Sequence, residues 1–147
     1  MPSRHQWQSR IKSVEREFVA IRQGTNRFLD HAQSDPTILL ADLRQGEIVS
    51  ASRNLEGTYI MRLFAEFETG ARQFWDETWG TEIKTFNLFE GLAARRGIPD
   101  TDRINGHLVR DYRNSLVHER DEQPDPLSIA LARRYLCTFF SYLPVEW

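Results

Sequence analysis

The residues best equipped for chemistry lie in "RDYRNSLVHER", residues 110 to 120, where three arginines, an asparagine and a histidine fall close together in a chain of net charge −2. An imidazole titrates near neutrality, so it can take a proton from a ribose 2′-hydroxyl or return one to a leaving oxygen. A guanidinium can hold the non-bridging phosphate oxygens and stabilise the charge that builds up on phosphorus. Together these groups suffice to cleave RNA without a metal or cofactor, whereas DNA lacks the hydroxyl that must attack. Other chemistries fit less well. His107 and Asp111 are one turn apart, but His118 lies about 16 Å along a helix from His107, too far for one ion, so no metal site is expected. Ser115 falls on an apolar arc and Cys137 in an aromatic segment, which points to packing rather than nucleophilic attack. No glycine-rich phosphate loop is present.

Helices must position these side chains. Trp7, Ile11, Val14, Phe18, Ile21, Thr25, Phe28 and Ala32 recur in steps of four and three, which predicts one long amphipathic helix over 3–33, stopped by "SDP". "TILLADLRQG" reads either as a short helix or as an extended connector. A second long helix is predicted over 47–78, with Ile60, Leu63, Phe64, Phe67, Ala71, Phe74, Trp75 and Trp79 along one side and Gly80 closing it. Gly57 and Gly70 within it mark close helix approaches. A third helix over 85–96 ends at Gly97, with Pro99 just beyond. Asp100 or Thr101 caps a fourth, and Asp125 with Pro126 opens a fifth that Pro144 terminates. No segment alternates as a strand does and no repeat is visible. The expectation is one all-α domain, 1–147: an up-and-down bundle of four to five helices.

At 100° per residue, Ile104, Leu108, Val109, Tyr112, Ser115 and Leu116 share an arc of the fourth helix that should face the core. His107, Asp111, Asn114 and His118 follow one another at steps of four, three and four, forming a polar seam, with Arg110, Arg113 and Val117 alongside. Such a seam either lines a groove or is a solvated face with local pairs such as Arg110 with Asn114. Gly106 favours contact, because a glycine in an exposed helix costs about 1 kcal/mol against alanine.

Composition bounds the reading. With 40% hydrophobic and 27% charged residues the chain is an ordinary globular protein, and its acidic balance argues against coating nucleic acid by bulk charge. Seventeen of the nineteen basic residues are arginine, all but Lys12 and Lys84. The N-terminus lacks the apolar run of a signal peptide, and no stretch is long and apolar enough for a membrane span. A lone cysteine fits a reducing cytoplasm.

"RNSLVH", Arg113 to His118, resembles the signature of the HEPN superfamily of all-helical proteins: an arginine, often followed by asparagine or another polar residue, with four to six residues before a histidine. "LFAEFETGARQFW" similarly resembles the aromatic and acidic helix that packs beside that motif. The resemblance covers most of the chain as architecture but only residues 113 to 118 as a motif. It implies metal-independent endoribonuclease activity, a homodimer whose motif helices meet in a cleft, and a toxin–antitoxin or antiviral defence role, with an antitoxin or other protein as partner. By the same resemblance His118 is general acid or base, Arg113 the phosphate clamp and Asn114 an orienting group, with Arg110, Asp111 and His107 in support or on the RNA. Glu68 is the candidate for the family's buried acid, orienting Arg113 or Arg110; as a plain surface residue it would pair with Arg72. Members silenced by a partner nucleotidyltransferase carry a tyrosine two residues after the histidine, where this chain has Arg120, so that control is not expected. Two other readings stand beside this one: a non-catalytic module that binds nucleotides or a protein through the same groove, and a dimeric scaffold joined through Phe18 and Ile21 of the first helix.

Overall fold

The computed structural model describes residues 3–39, 42–118 and 123–147. It is an all-α bundle of α1 (Arg4–Ser34), α2 (Gln45–Trp79), α3 (Thr85–Arg96), α4 (Asp100–Val117) and α5 (Ile129–Phe140), with one 3-10 turn at Pro36–Ile38 in the ambiguous connector. Ser3 caps α1 reciprocally with Gln6, and Gly80 and Gly97 close α2 and α3 in left-handed geometry at φ 64° and 63°, where a side chain would be strained.

One continuous core draws on all five helices. Phe67 from α2 meets Phe89 of α3 and Phe139 and Phe140 of α5 at centroid distances of 5.2, 5.7 and 5.8 Å. Gly70 lets the Trp7 indole reach the α2 backbone: a Cβ there would lie 2.6 Å from the ring. Gly57 admits Leu116 in the same way, at 3.2 Å. Both glycines therefore mark close approaches, as their positions suggested.

Three expectations are corrected. The heptad pattern of α1 does not run into the core throughout: Trp7, Ile11, Val14, Phe18 and Ala32 are buried, but Ile21 is 46% exposed and Phe28 is exposed too. At 1.5 Å per residue, α1 and α2 extend about 46 and 52 Å against about 18 Å for α5, so their far halves have no third layer over them. The cap of α4 is Pro99, with Asp100 already in the first turn and no side-chain cap bond. Finally, α5 starts at Ile129 rather than at Pro126. Its N-cap is Ser128, whose Oγ accepts from Leu131 N at 3.1 Å, and Glu56 of α2 accepts from Ile129 N at 2.9 Å.

Candidate functional site

The motif sits on the last turns of α4, and the inner face of that helix follows its apolar residues only in part: of the expected arc, Val109 is buried in the core and Tyr112 packs against it. Only Gly106 and Val109 are buried. Of the expected arc, Ile104 is 51% and Leu108 45% exposed, Leu116 is exposed, and Tyr112 and Ser115 are half-buried. The physical reason is Gly106. The Phe89 and Phe139 rings occupy the space a side chain would take there, at 2.7 and 3.2 Å from a Cβ position. That contact turns the 106–109–113 line inward and the 104–108 line out.

Arg113 consequently points over the core. Its guanidinium lies 5.5 Å from the centroid of Phe64, and Nη1 donates to Asn114 Oδ1 at 3.0 Å. A fork held on a ring face and a neighbouring amide has lost much of its freedom before any phosphate arrives. His118 is the C-cap of α4, with its backbone already extended at φ −123°, ψ 132° and its N–H donated to Asn114 O at 3.0 Å. Its imidazole is exposed, and no described residue is hydrogen-bonded to it. The helix thus unwinds at the histidine, with Arg113 half-buried over Phe64 and His118 exposed, so the two side chains leave α4 in different surroundings.

The remaining seam residues form two further clusters. Arg110 donates to Asp111 Oδ1 through Nη2 at 2.6 Å and lies 4.8 Å from the centroid of the Phe86 ring on α3. The local pairs are therefore Arg110 with Asp111 and Arg113 with Asn114, not Arg110 with Asn114. His107 is tucked between helices, its Nε2 2.6 Å from Glu90 Oε1 and its ring 4.9 and 5.1 Å from Phe86 and Phe89. Arg103 binds the same Glu90 oxygen at 2.9 Å. His107 and Arg103 together hold the Glu90 carboxyl below its usual range. His107 is thus a strut between α3 and α4, and its Nδ1 is buried without a partner.

Glu68 does not reach Arg113 or Arg110. One of its oxygens accepts from Arg72 Nη2 at 2.8 Å and from Thr85 Oγ1 at 2.5 Å, and Arg72 also donates to the Ile83 carbonyl. The carboxylate ties α2 to the start of α3, beside a concavity of about 730 Å³ at the α2–α3 link. Burial pushes the Cys137 thiol up, consistent with packing rather than attack. Among the described residues no three His, Cys, Asp or Glu side chains converge as metal ligands would, and no helix is long and apolar enough to cross a membrane. Arg120, the position of the family's tyrosine, lies outside the described residues.

No family model matches the chain, and no curated protein or solved structure does either. The functional reading therefore rests on the residues themselves. Phe64, Phe86 and Glu90, which hold Arg113, Arg110 and His107, carry no sequence signal of that role, because each acts across a helix–helix contact.

Proposed function

We propose that the protein is a metal-independent endoribonuclease of HEPN type, working as a homodimer in a toxin–antitoxin or antiviral defence role, with an antitoxin or other protein as a further partner. The observation that carries this reading is the end of α4: an Arg113 fork pre-set on Phe64 and Asn114, followed about a turn and a half later by an exposed His118 at the point where the helix opens. His118 removes the proton of a ribose 2′-hydroxyl, the oxygen attacks the adjacent phosphorus, and Arg113 holds the charge of the five-coordinate state. The proton passes to the departing 5′-oxygen, leaving a 2′,3′-cyclic phosphate and a 5′-hydroxyl. Asn114 orients the fork. Because Arg113 and His118 diverge within one chain, the site is completed by a second copy, and the exposed stripe of Ile104 and Leu108 beside the seam is the surface that copy covers.

Purified protein should cleave single-stranded or transfer RNA in EDTA, and His118→Ala should lose that activity. Absence of cleavage on every such RNA, or equal cleavage by the variant, would remove the proposal. The non-catalytic reading, a nucleotide- or protein-binding module, is favoured by the half-buried, already engaged state of Arg113. Tight binding without turnover that survives the double change Arg113→Ala and His118→Ala would select it.

A further inference from the structure

Phe86 stands out among the aromatic side chains around the motif helix. It is 52% exposed, although it sits on the second residue of α3 against the most polar part of α4. Arg110 lies 4.8 Å from its ring centroid and His107 4.9 Å, so the ring is fixed in place from the α4 side while half its surface stays open. The surrounding side chains are polar: Lys84 and Asn87 are exposed, and Arg110, Asp111 and Asn114 lie along the adjacent seam. The apolar Ile104 and Leu108 lie on the far flank of that seam, about 120° and 160° around α4 from Arg110. A protein partner needs a contiguous apolar patch, which this ring does not belong to. A single flat base needs only one ring and a nearby cation.

Resting on the reading of the chain as an RNA-cleaving protein, we propose that Phe86 is a stacking platform for a base of single-stranded RNA, with Arg110 as the cation on the opposite face of the ring. Arg110 precedes His118 by eight residues, about 12 Å along α4. The stacked base therefore belongs to a nucleotide flanking the scissile phosphate, not to the reacting one. Asp111 and Glu90, the nearby acids, are already paired with Arg110 and with His107 and Arg103. The contact is tolerant of base identity, because every base has a π face.

The test measures fluorescence anisotropy of a short labelled single-stranded RNA of mixed sequence, and of the same strand made abasic, on the full chain carrying His118→Ala so that the RNA persists. Adding Phe86→Ala should weaken binding about tenfold, and Phe86→Leu, which keeps apolar bulk without a π face, should weaken it comparably. Phe86→Trp should bind at least as well as phenylalanine. The abasic strand should bind weakly and be indifferent to all three changes. Equal affinity across the variants, tight binding of the abasic strand, no binding of either strand, or a change in sedimentation in place of RNA affinity would each overturn the platform; the last would assign Phe86 to a protein interface. Cleavage by the parent with RNA affinity unmoved by Phe86 would remove this inference and leave the proposed function. Phe86-dependent binding without cleavage would do the reverse.

Discussion

Helices α4 and α5 lie against each other and are written differently. In α5 six of twelve residues are buried, all apolar or cysteine, and the helix does little except close the core. In α4 two of eighteen are buried, one of them a glycine. Its inner line is completed by Arg113, and its apolar residues Ile104 and Leu108 face outward. A helix that spends its inward positions on glycine, one valine and arginine and its outward ones on isoleucine and leucine gains little from the core it borders. The proposed function gives that outer surface a use, part of it for RNA and part for a second copy.

The contrast can be broken or sharpened by substitution. The largest effect should come from α5: Phe139→Ala removes a fully buried ring and should cost about 3–5 kcal/mol in urea unfolding. The matching change on the outer line of α4, Leu108→Ala, should stay within about 0.5 kcal/mol for the isolated chain. Equal costs would erase the distinction between the two helices. An intermediate effect is expected at their contact. Gly106→Ala improves helix propensity, yet its Cβ would sit 2.7 Å from the buried Phe89 ring, so a net loss of about 1–3 kcal/mol is expected. A gain would show that α4 can shift away from α3 and α5 freely.

The smallest effect concerns acid. The Glu90 carboxyl is held below its usual range by His107 and Arg103, so its contribution is fully present above the unfolded-state value of about 4.3 and is lost as pH falls through the lower folded value. Glu90→Gln should flatten the fall of stability with acidification in that window, while above it the two proteins keep a constant difference. An unchanged acid slope would mean that the strut between α3 and α4 adds nothing.

Helix existence was legible wherever punctuation was sharp. The third helix is read from 85 to 96 and found at Thr85–Arg96, because Gly97 can adopt the left-handed turn and Pro99 cannot continue it. The start of α5 was misread, since Asp125 and Pro126 look like a cap, but Ser128 takes the role once Glu56 reaches Ile129 from α2. That bond joins residues 73 positions apart and leaves no local trace. The orientation of α4 held at Val109 and Tyr112 but failed at Ile104 and Leu108, for a similar reason. Periodicity counts side chains, whereas the inward direction is set at Gly106 by rings belonging to two other helices. Within the candidate site, the polar seam and the pairing of Glu68 with Arg72 were visible in the spacing, but the partners of His107 and Arg110 were not.

The central claim is that Arg113 of one copy works with His118 of another. Mixing Arg113→Ala chains with His118→Ala chains, after unfolding and refolding together, tests it by RNA cleavage in EDTA. Random pairing makes half of the dimers mixed, each with one complete site of two, so about a quarter of the parent activity should return from two inactive proteins. A mixture as inactive as its components would contradict the account.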